Sequence, residues 1–354
     1  EAAVPGGRIL CKYCAVPIAP MHMSAADVPV AHMLVTPLSG HLQIRPFLKH
    51  KNGNGEGSDT HLFGLFDGHA GGRCSKFVSS TLPDILLDDS AYVHNLPQAV
   101  KRTFFTTNEQ FLQIAERMKL HDGSTGICSI VRDGKVLVSN VGDCRCIILS
   151  NGKPIQMSVD QKPTAPEEQR RIAALGGTVV LCMGTARVNG VLAVSRAFGN
   201  RTLKQVIRPD PELSMREFTR DDDYLIMASD GLWDVLRNVD VCHIAYNCVN
   251  QNQGQAGVCQ AIAEELVHAA LSRGSLDNVT CLCIRISGPN GLYQSHQNSQ
   301  GGGNSNGSAS NVPTGAHGGS SSPYPGQEGS QPRPAAGAAN AAQYRHNNFP
   351  SQSP

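Results

Sequence analysis

FGLFDGHAGG, residues 63–72, runs from an apolar stretch into Asp67, Gly68 and His69 and then into a cluster of small residues. Asp-Gly is a common turn signal. Here a helical pattern follows it, not a returning strand. Asp133-Gly134 and Asn151-Gly152 mark the contrast, because each sits between two short strands where a two-residue hairpin turn belongs. The Asp-Gly at 67–68 asks for another purpose.

The same junction recurs downstream. YLIMAS (224–229) runs into Asp230-Gly231, and a third carboxylate, Asp277, precedes the closing strand VTCLCIRI (279–286). Strand ends from one sheet can converge, and converging carboxylates repel unless a cation lies among them. Hard divalent cations such as Mg²⁺ and Mn²⁺ take carboxylate and carbonyl oxygens. A glycine after the aspartate lets the backbone come close to such an ion.

Around these junctions the sequence alternates strands with amphipathic helices. HLFGLF (61–66) reads as a strand, followed by a helix through the 70s and 80s. A longer helix is expected over about 96–118, with Val100, Phe104, Phe111 and Ile114 at helical spacing. GICSIVR (126–132), KVLVSNV (135–141) and CRCIILS (144–150) read as short strands. Thr164-Ala-Pro-Glu167 has the form of a capping box opening a helix, with Pro166 in its first turn. Two more helices, about 238–250 and 256–272, precede the last strand. Hairpins together with paired helices predict an α+β layered domain over 61–287.

The flanks differ in composition. Residues 1–60 read as irregular, and 288–354 as a disordered tail rich in Gly, Ser, Asn, Gln and Pro, too poor in aliphatic residues to offset ordering entropy. The first residue is Glu1 and not Met, which suggests a fragment or a processed form. The net charge of +1 offers no general attraction to nucleic acid or to an acidic membrane. No apolar run approaches the roughly 20 residues of a membrane helix. The 12 Cys lie mostly in apolar runs, so they read as free thiols in a reducing compartment. Cytoplasm or nucleus, and a monomer without membrane or nucleic-acid partners, are the expectations.

FGLFDGHAGG, DGSTG (122–126), VGDCR (141–145), KPTAPEEQRRI (162–172), GVLAVSRAFGN (190–200), RPDPELS (208–214), LIMASDGLWDVL (225–236) and GSLDNVTCL (274–282) occur in this order. Together they resemble the metal-dependent Ser/Thr protein phosphatases of the PP2C (PPM) family. The resemblance implies a β-sandwich of two antiparallel sheets flanked by pairs of helices, in α-β-β-α layers. It implies phosphoprotein substrates and two Mn²⁺ or Mg²⁺ ions at one end of the sandwich. Asp67 resembles the ligand shared by both ions, and Gly68 the residue lending a carbonyl. Asp230 and Asp277 resemble the remaining protein ligands. Asp143 and Asp234 resemble residues at a third, weaker position. His69 resembles the general acid that protonates the leaving Ser or Thr oxygen; holding a water by hydrogen bond is its other reading. No Cys sits in a Gly-rich loop followed by Arg, so a cysteine nucleophile is not indicated. The segment 165–190 corresponds to a flap beside the site, with Arg187 and Arg196 as candidate substrate cations or structural ion-pair partners.

Three departures accompany the resemblance. The family's earlier motif, an Arg followed by Met-Glu-Asp, has no counterpart in MSAADVPVAHMLVTPLSGHLQIRPF (23–47), where Asp27 and Arg45 stand in other contexts. Asn200 stands where Asp usually ends the SRAFG motif, and Gln161 where His usually precedes Lys-Pro. The lost motif fits an incomplete start of the chain, a weak phosphatase, or a pseudophosphatase that binds phosphoproteins or partners without turnover. An unrelated metal hydrolase such as a nuclease is disfavoured by the near-neutral charge. Cys11-x-x-Cys14, with His22 and His32 beyond, is a weak zinc signal.

Overall fold

The apolar runs become strands covered on both faces. The computed structural model describes residues 31–35, 41–46, 60–252 and 257–287. The Cys11-x-x-Cys14 pair, Asp27 and the tail 288–354 lie outside them. In chain order the strands are β1 (Ala31–Val35), β2 (His41–Pro46), β3 (His61–His69), β4 (Gly123–Ser124), β5 (Gly126–Arg132), β6 (Lys135–Val141) and β7 (Arg145–Ser150). Next come β8 (Lys153–Gln156), β9 (Val179–Cys182), β10 (Thr185–Val188), β11 (Phe198–Gly199), β12 (Glu212–Glu217), β13 (Asp222–Ala228) and β14 (Thr280–Arg285). The helices are α1 (Arg73–Asp88), α2 (Leu96–Met118), α3 (Pro166–Ala174), the single turn α4 (Asp230–Trp233), α5 (Asn238–Asn252) and α6 (Val258–Ser272).

One sheet has the order β1-β14-β13-β7-β8. The other has the order β11-β4-β3-β5-β6-β12, with β2 also paired to β3. The pairings are antiparallel. The period of two sorts each strand between cores. In β3, Phe63 and Leu65 face the space between the sheets, while Leu62 and Phe66 face α1 and α2. In β13, Leu225 and Met227 face inward, while Tyr224, Ile226 and Ala228 face α5 and α6. Strands buried on both faces have no polar side to show, which explains why their sequence reads as unbroken apolar runs. The expected α-β-β-α sandwich is the architecture observed.

Both hairpin turns form where the sequence puts them. Asp133 and Gly134 have φ of 54° and 69°, and Asn151 and Gly152 have 46° and 75°. Two successive positive φ angles match the twist of the flanking strands. The long helix spans Leu96–Met118, and Asn95 caps it by accepting the Gln98 N–H at 3.2 Å.

Two local expectations change. The Thr164 capping box does not form: Ala165 is the N-cap, with no side-chain cap. The Ala165 N–H closes a turn on the Lys162 carbonyl (3.0 Å), which leaves Thr164 one residue outside the helix. Pro166 does open α3. In addition, β1 and β2 lie within 1–60, the segment read as irregular. Their runs AHMLV and HLQIRP are short, and long-range pairing with β14 and β3 fixes them, not a local signal.

Candidate functional site

Topology alone gathers the acidic junctions. Ala228 pairs with both Cys281 and Arg145, so the end of β13, the start of β14 and the start of β7 share one edge of their sheet. Gly68 pairs with Ser124, and Gly126 with Val141, so the end of β3 and the β6–β7 turn share the matching edge of the other. Asp67 continues the parity of Phe63 and Leu65 and sits on the face between the sheets. The result is an open cleft of about 370 Å³ lined by Asp67, Gly68, His69, Asp143, Asp230 and Asp277 among others.

Glycines set these close approaches. A Cβ on Gly231 would overlap the Asn278 carbonyl, so only glycine lets the Asp230 and Asp277 loops meet. Ser229 ties the same loops, donating Oγ–H to the Asn278 carbonyl (3.0 Å) and accepting the Thr280 N–H (3.1 Å). The DGSTG segment braces the β3 end. Asp67 donates its N–H to Thr125 Oγ1 (3.3 Å) and accepts the Thr125 N–H (2.9 Å). Asp122 accepts the Arg73 N–H at the start of α1 (2.9 Å). Ala70 takes a left-handed conformation (φ 56°) and Gly71 follows at 135°, which turns the chain from β3 into α1.

The electrostatics are those of buried acids only partly offset by Lys162. Burial first, then the charges of Asp230 and Asp277, push Asp67 up to about 8. Burial, Asp277 and Asp234 push Asp230 up to about 6, against the pull of Lys162. Burial and Asp230 push Asp143 well above the usual carboxylate range. Asp230 Oδ1 is buried without a hydrogen-bond partner. A buried carboxylate oxygen facing other carboxylates is the donor a hard cation takes. Among the described residues no three His, Cys, Asp or Glu side chains form a complete cage. Carboxylate oxygens are the donor type of a hard ion such as Mg²⁺, which keeps several waters and binds protein through one or two carboxylates.

His69 lies beside the acids. Its Nε2 is 3.0 Å from Asn200 Oδ1, so Nε2–H is the donor. Burial lowers its pKa; the Asn200 bond opposes this, and Lys204 reinforces it. Gly123 sits against this pair, and a Cβ there would overlap both His69 Nε2 and Asn200 Oδ1.

The remaining candidates separate. Arg187 lines the cleft and donates Nη1–H to the Val191 carbonyl (2.8 Å). Arg196 is held away from it: Nη2 is 2.7 Å from the buried Glu168 Oε1, and Nη1 bonds the Asp210 carbonyl. That is the structural ion-pair reading. Asp234 is outside the cleft lining and paired with Lys162 at 2.5 Å. Trp233 packs in the core under α5 and α6, donating Nε1–H to the Ala228 carbonyl. Sequence reading assigned no role to Thr125, Asn278, Lys162 or the His69–Asn200 bond. The first three lie inside quoted motifs, and Asn200 carried a signal only as a departure.

The family model for protein phosphatase 2C matches residues 35–279. Among curated proteins, the probable protein phosphatase 2C 52 of Oryza sativa subsp. japonica is 40% identical over 225 residues, covering 64% of this chain and 44% of that protein. The probable protein phosphatase 2C 76 of Arabidopsis thaliana is 38% identical over 231 residues, covering 65% and 53%. The chain thus spans about half the length of these curated relatives. Among solved structures, a serine-threonine phosphatase 2C from Toxoplasma gondii aligns at TM-score 0.58 and 21% identity, covering 73% of this chain and 99% of that one. A C. elegans sex determining protein aligns at TM-score 0.63 and 22% identity, covering 73% and 65%. At these identities the structural likeness speaks for the fold.

Proposed function

The chain belongs to the protein phosphatase 2C family, and we propose that it hydrolyses phosphoserine and phosphothreonine in proteins at the carboxylate cleft. The observation that carries this reading is the convergence of Asp67, Asp230 and Asp277 on one cleft with Asp230 Oδ1 buried and unpartnered. Asp67, Asp230 and Asp277, with the Gly68 carbonyl, would hold two Mn²⁺ or Mg²⁺ ions. Such ions, when bound, lower the pKa of water and neutralise phosphoryl charge.

The chain's own groups do the rest. Arg187 at the cleft rim orients the phosphoryl group of a docked phosphoprotein. His69 is held by Asn200 through Nε2–H, so it is as the imidazolium that its Nδ1–H gives a proton to the leaving oxygen, which leaves the neutral ring bonded to Asn200. Leu192 and Val194 give the cleft an apolar wall for the methylene or methyl next to that oxygen.

Phosphate release from p-nitrophenyl phosphate and from a phosphothreonine peptide tests the proposal, in Mn²⁺, in EDTA and with Asp230→Asn. Metal-dependent turnover lost in the variant is expected, and none above the variant overturns it. His69→Ala is expected to cost more on the peptide, whose alkoxide leaves poorly, than on p-nitrophenyl phosphate; equal losses would remove His69 as the acid.

One observation favours a second reading. β2, the strand paired beside Asp67 and Gly68, reads HLQIRP and brings no carboxylate to that edge. A pseudophosphatase that binds phosphoproteins would keep binding them in Asp230→Asn.

A further inference from the structure

Asp230 opens α4, a single turn with no side-chain cap. One turn of helix has little stability of its own, because nucleation fixes several residues for one hydrogen bond. The buried Asp230 Oδ1 has no protein partner, so no group in the cleft holds that oxygen from the front. Its direction is set from behind, by whatever holds α4.

Arg145, the first residue of β7, stands behind α4. Its partner across the ladder is Ala228, the last residue of β13. Trp233 donates Nε1–H to the carbonyl of that same Ala228 (2.9 Å), and the Arg145 guanidinium lies over the indole, 5.0 Å from the ring centroid. Arg145 Nη1 also donates to Asn238 Oδ1 at the start of α5 (2.8 Å). One guanidinium thus touches the last residue of α4 and the first of α5. It is itself fixed, because Nε and Nη2 form a forked pair with Asp160 (2.9 and 2.7 Å), ahead of the flap. The two side chains are only 19% and 14% exposed. Asn238 is held in turn, donating Nδ2–H to Gln156 Oε1 (2.8 Å).

We infer that Arg145 is a positioning residue that holds α4 against β7 through Trp233 and so presents Asp230 to an ion in the cleft. The gain is preorganisation. If α4 were loose, ion binding would have to order it, and that cost would appear as weaker affinity. Groups standing behind metal ligands commonly change affinity by about 10- to 100-fold. Lysine cannot take the place of Arg145, since an ammonium neither forks onto a carboxylate nor lies flat on a ring. The inference rests on the proposed ion-binding cleft.

Calorimetric titration of Mg²⁺ into the metal-free full chain tests it, for the parent, Arg145→Met, Arg145→Lys, Arg145→Met combined with Asp160→Asn, and Asp230→Asn. Mg²⁺ should bind about tenfold more weakly in each Arg145 variant, with circular dichroism unchanged. Acrylamide should also quench Trp233, the only Trp of the chain, more readily in those variants. Parent-like Mg²⁺ affinity or unchanged quenching in the folded variants overturns the inference and leaves the cleft reading intact. That holds even where the urea midpoint falls, because a purely structural tie would change the midpoint alone. A parent that binds no Mg²⁺, or binding undiminished in Asp230→Asn, overturns both. The combined variant leaves neither charge of the pair behind, so the outcome stays decisive if the single variants do not fold.

Discussion

Asp67 owes its place to parity. The alternation that buries Phe63 and Leu65 between the sheets carries one residue further, and the strand ends with a carboxylate on its inner face. The acids were legible in sequence for that reason: each follows or precedes a run whose burial is obvious. Their supports were not, because they act across long separations. His69 and Asn200 are 131 residues apart, and only the folded chain brings Gly123 between them. Gly123→Ala should break that bond while keeping the fold, and reduce kcat on a phosphothreonine peptide about 10- to 100-fold, with circular dichroism unchanged. Asp230→Asn should act in opposite directions on stability and activity. Removing one of several repelling buried charges should raise the metal-free stability by about 1–2 kcal/mol in urea denaturation, while metal-dependent turnover disappears.

The flap is the element where sequence reading and structure part most clearly. The proline at 166 announced α3, but the β9–β10 hairpin and the clamp beneath it had no local signature. That clamp is Glu168, buried, with Arg171 at 2.8 Å and Arg196 at 2.7 Å. In sequence Arg196 stays open between substrate cation and ion-pair partner, because its partner lies 28 residues away. Burial alone would push Glu168 up, yet the bonds from Arg196 and Arg171 hold it down at about 2. A carboxylate held below its unfolded value stabilises the fold above about pH 4.5 and loses that contribution as pH falls toward 2. Glu168→Gln should therefore be destabilised at pH 7, by about 2–4 kcal/mol as for a broken buried pair. The gap to the parent should close on acidification, as measured by urea midpoints from pH 6 to 3. At this scale Arg187→Ala should raise KM for phosphopeptides with a smaller effect on kcat, since Arg187 lines the cleft and Arg196 does not.

At the scale of the whole molecule, the layers were readable because apolar strands, two hairpin turns and paired helices agree with one another. The two strands upstream of residue 60 were not, since short apolar runs take their state from the neighbours they pair with. Among the described residues no helix is long and apolar enough to cross a membrane. The sandwich serves the site by bringing the ends of β3, β6, β7, β13 and β14 from two sheets together, so that acids far apart in sequence share one cleft. That these acids form a metal-dependent phosphoester-hydrolysing centre is the central claim. Its most direct measurement is the rate of phosphate release from a phosphothreonine peptide at saturating Mn²⁺, for the parent chain and for Asp67→Asn. The account predicts turnover in the parent and a loss of at least about 100-fold in the variant. Equal rates in the two proteins, or no release by the parent, would contradict it.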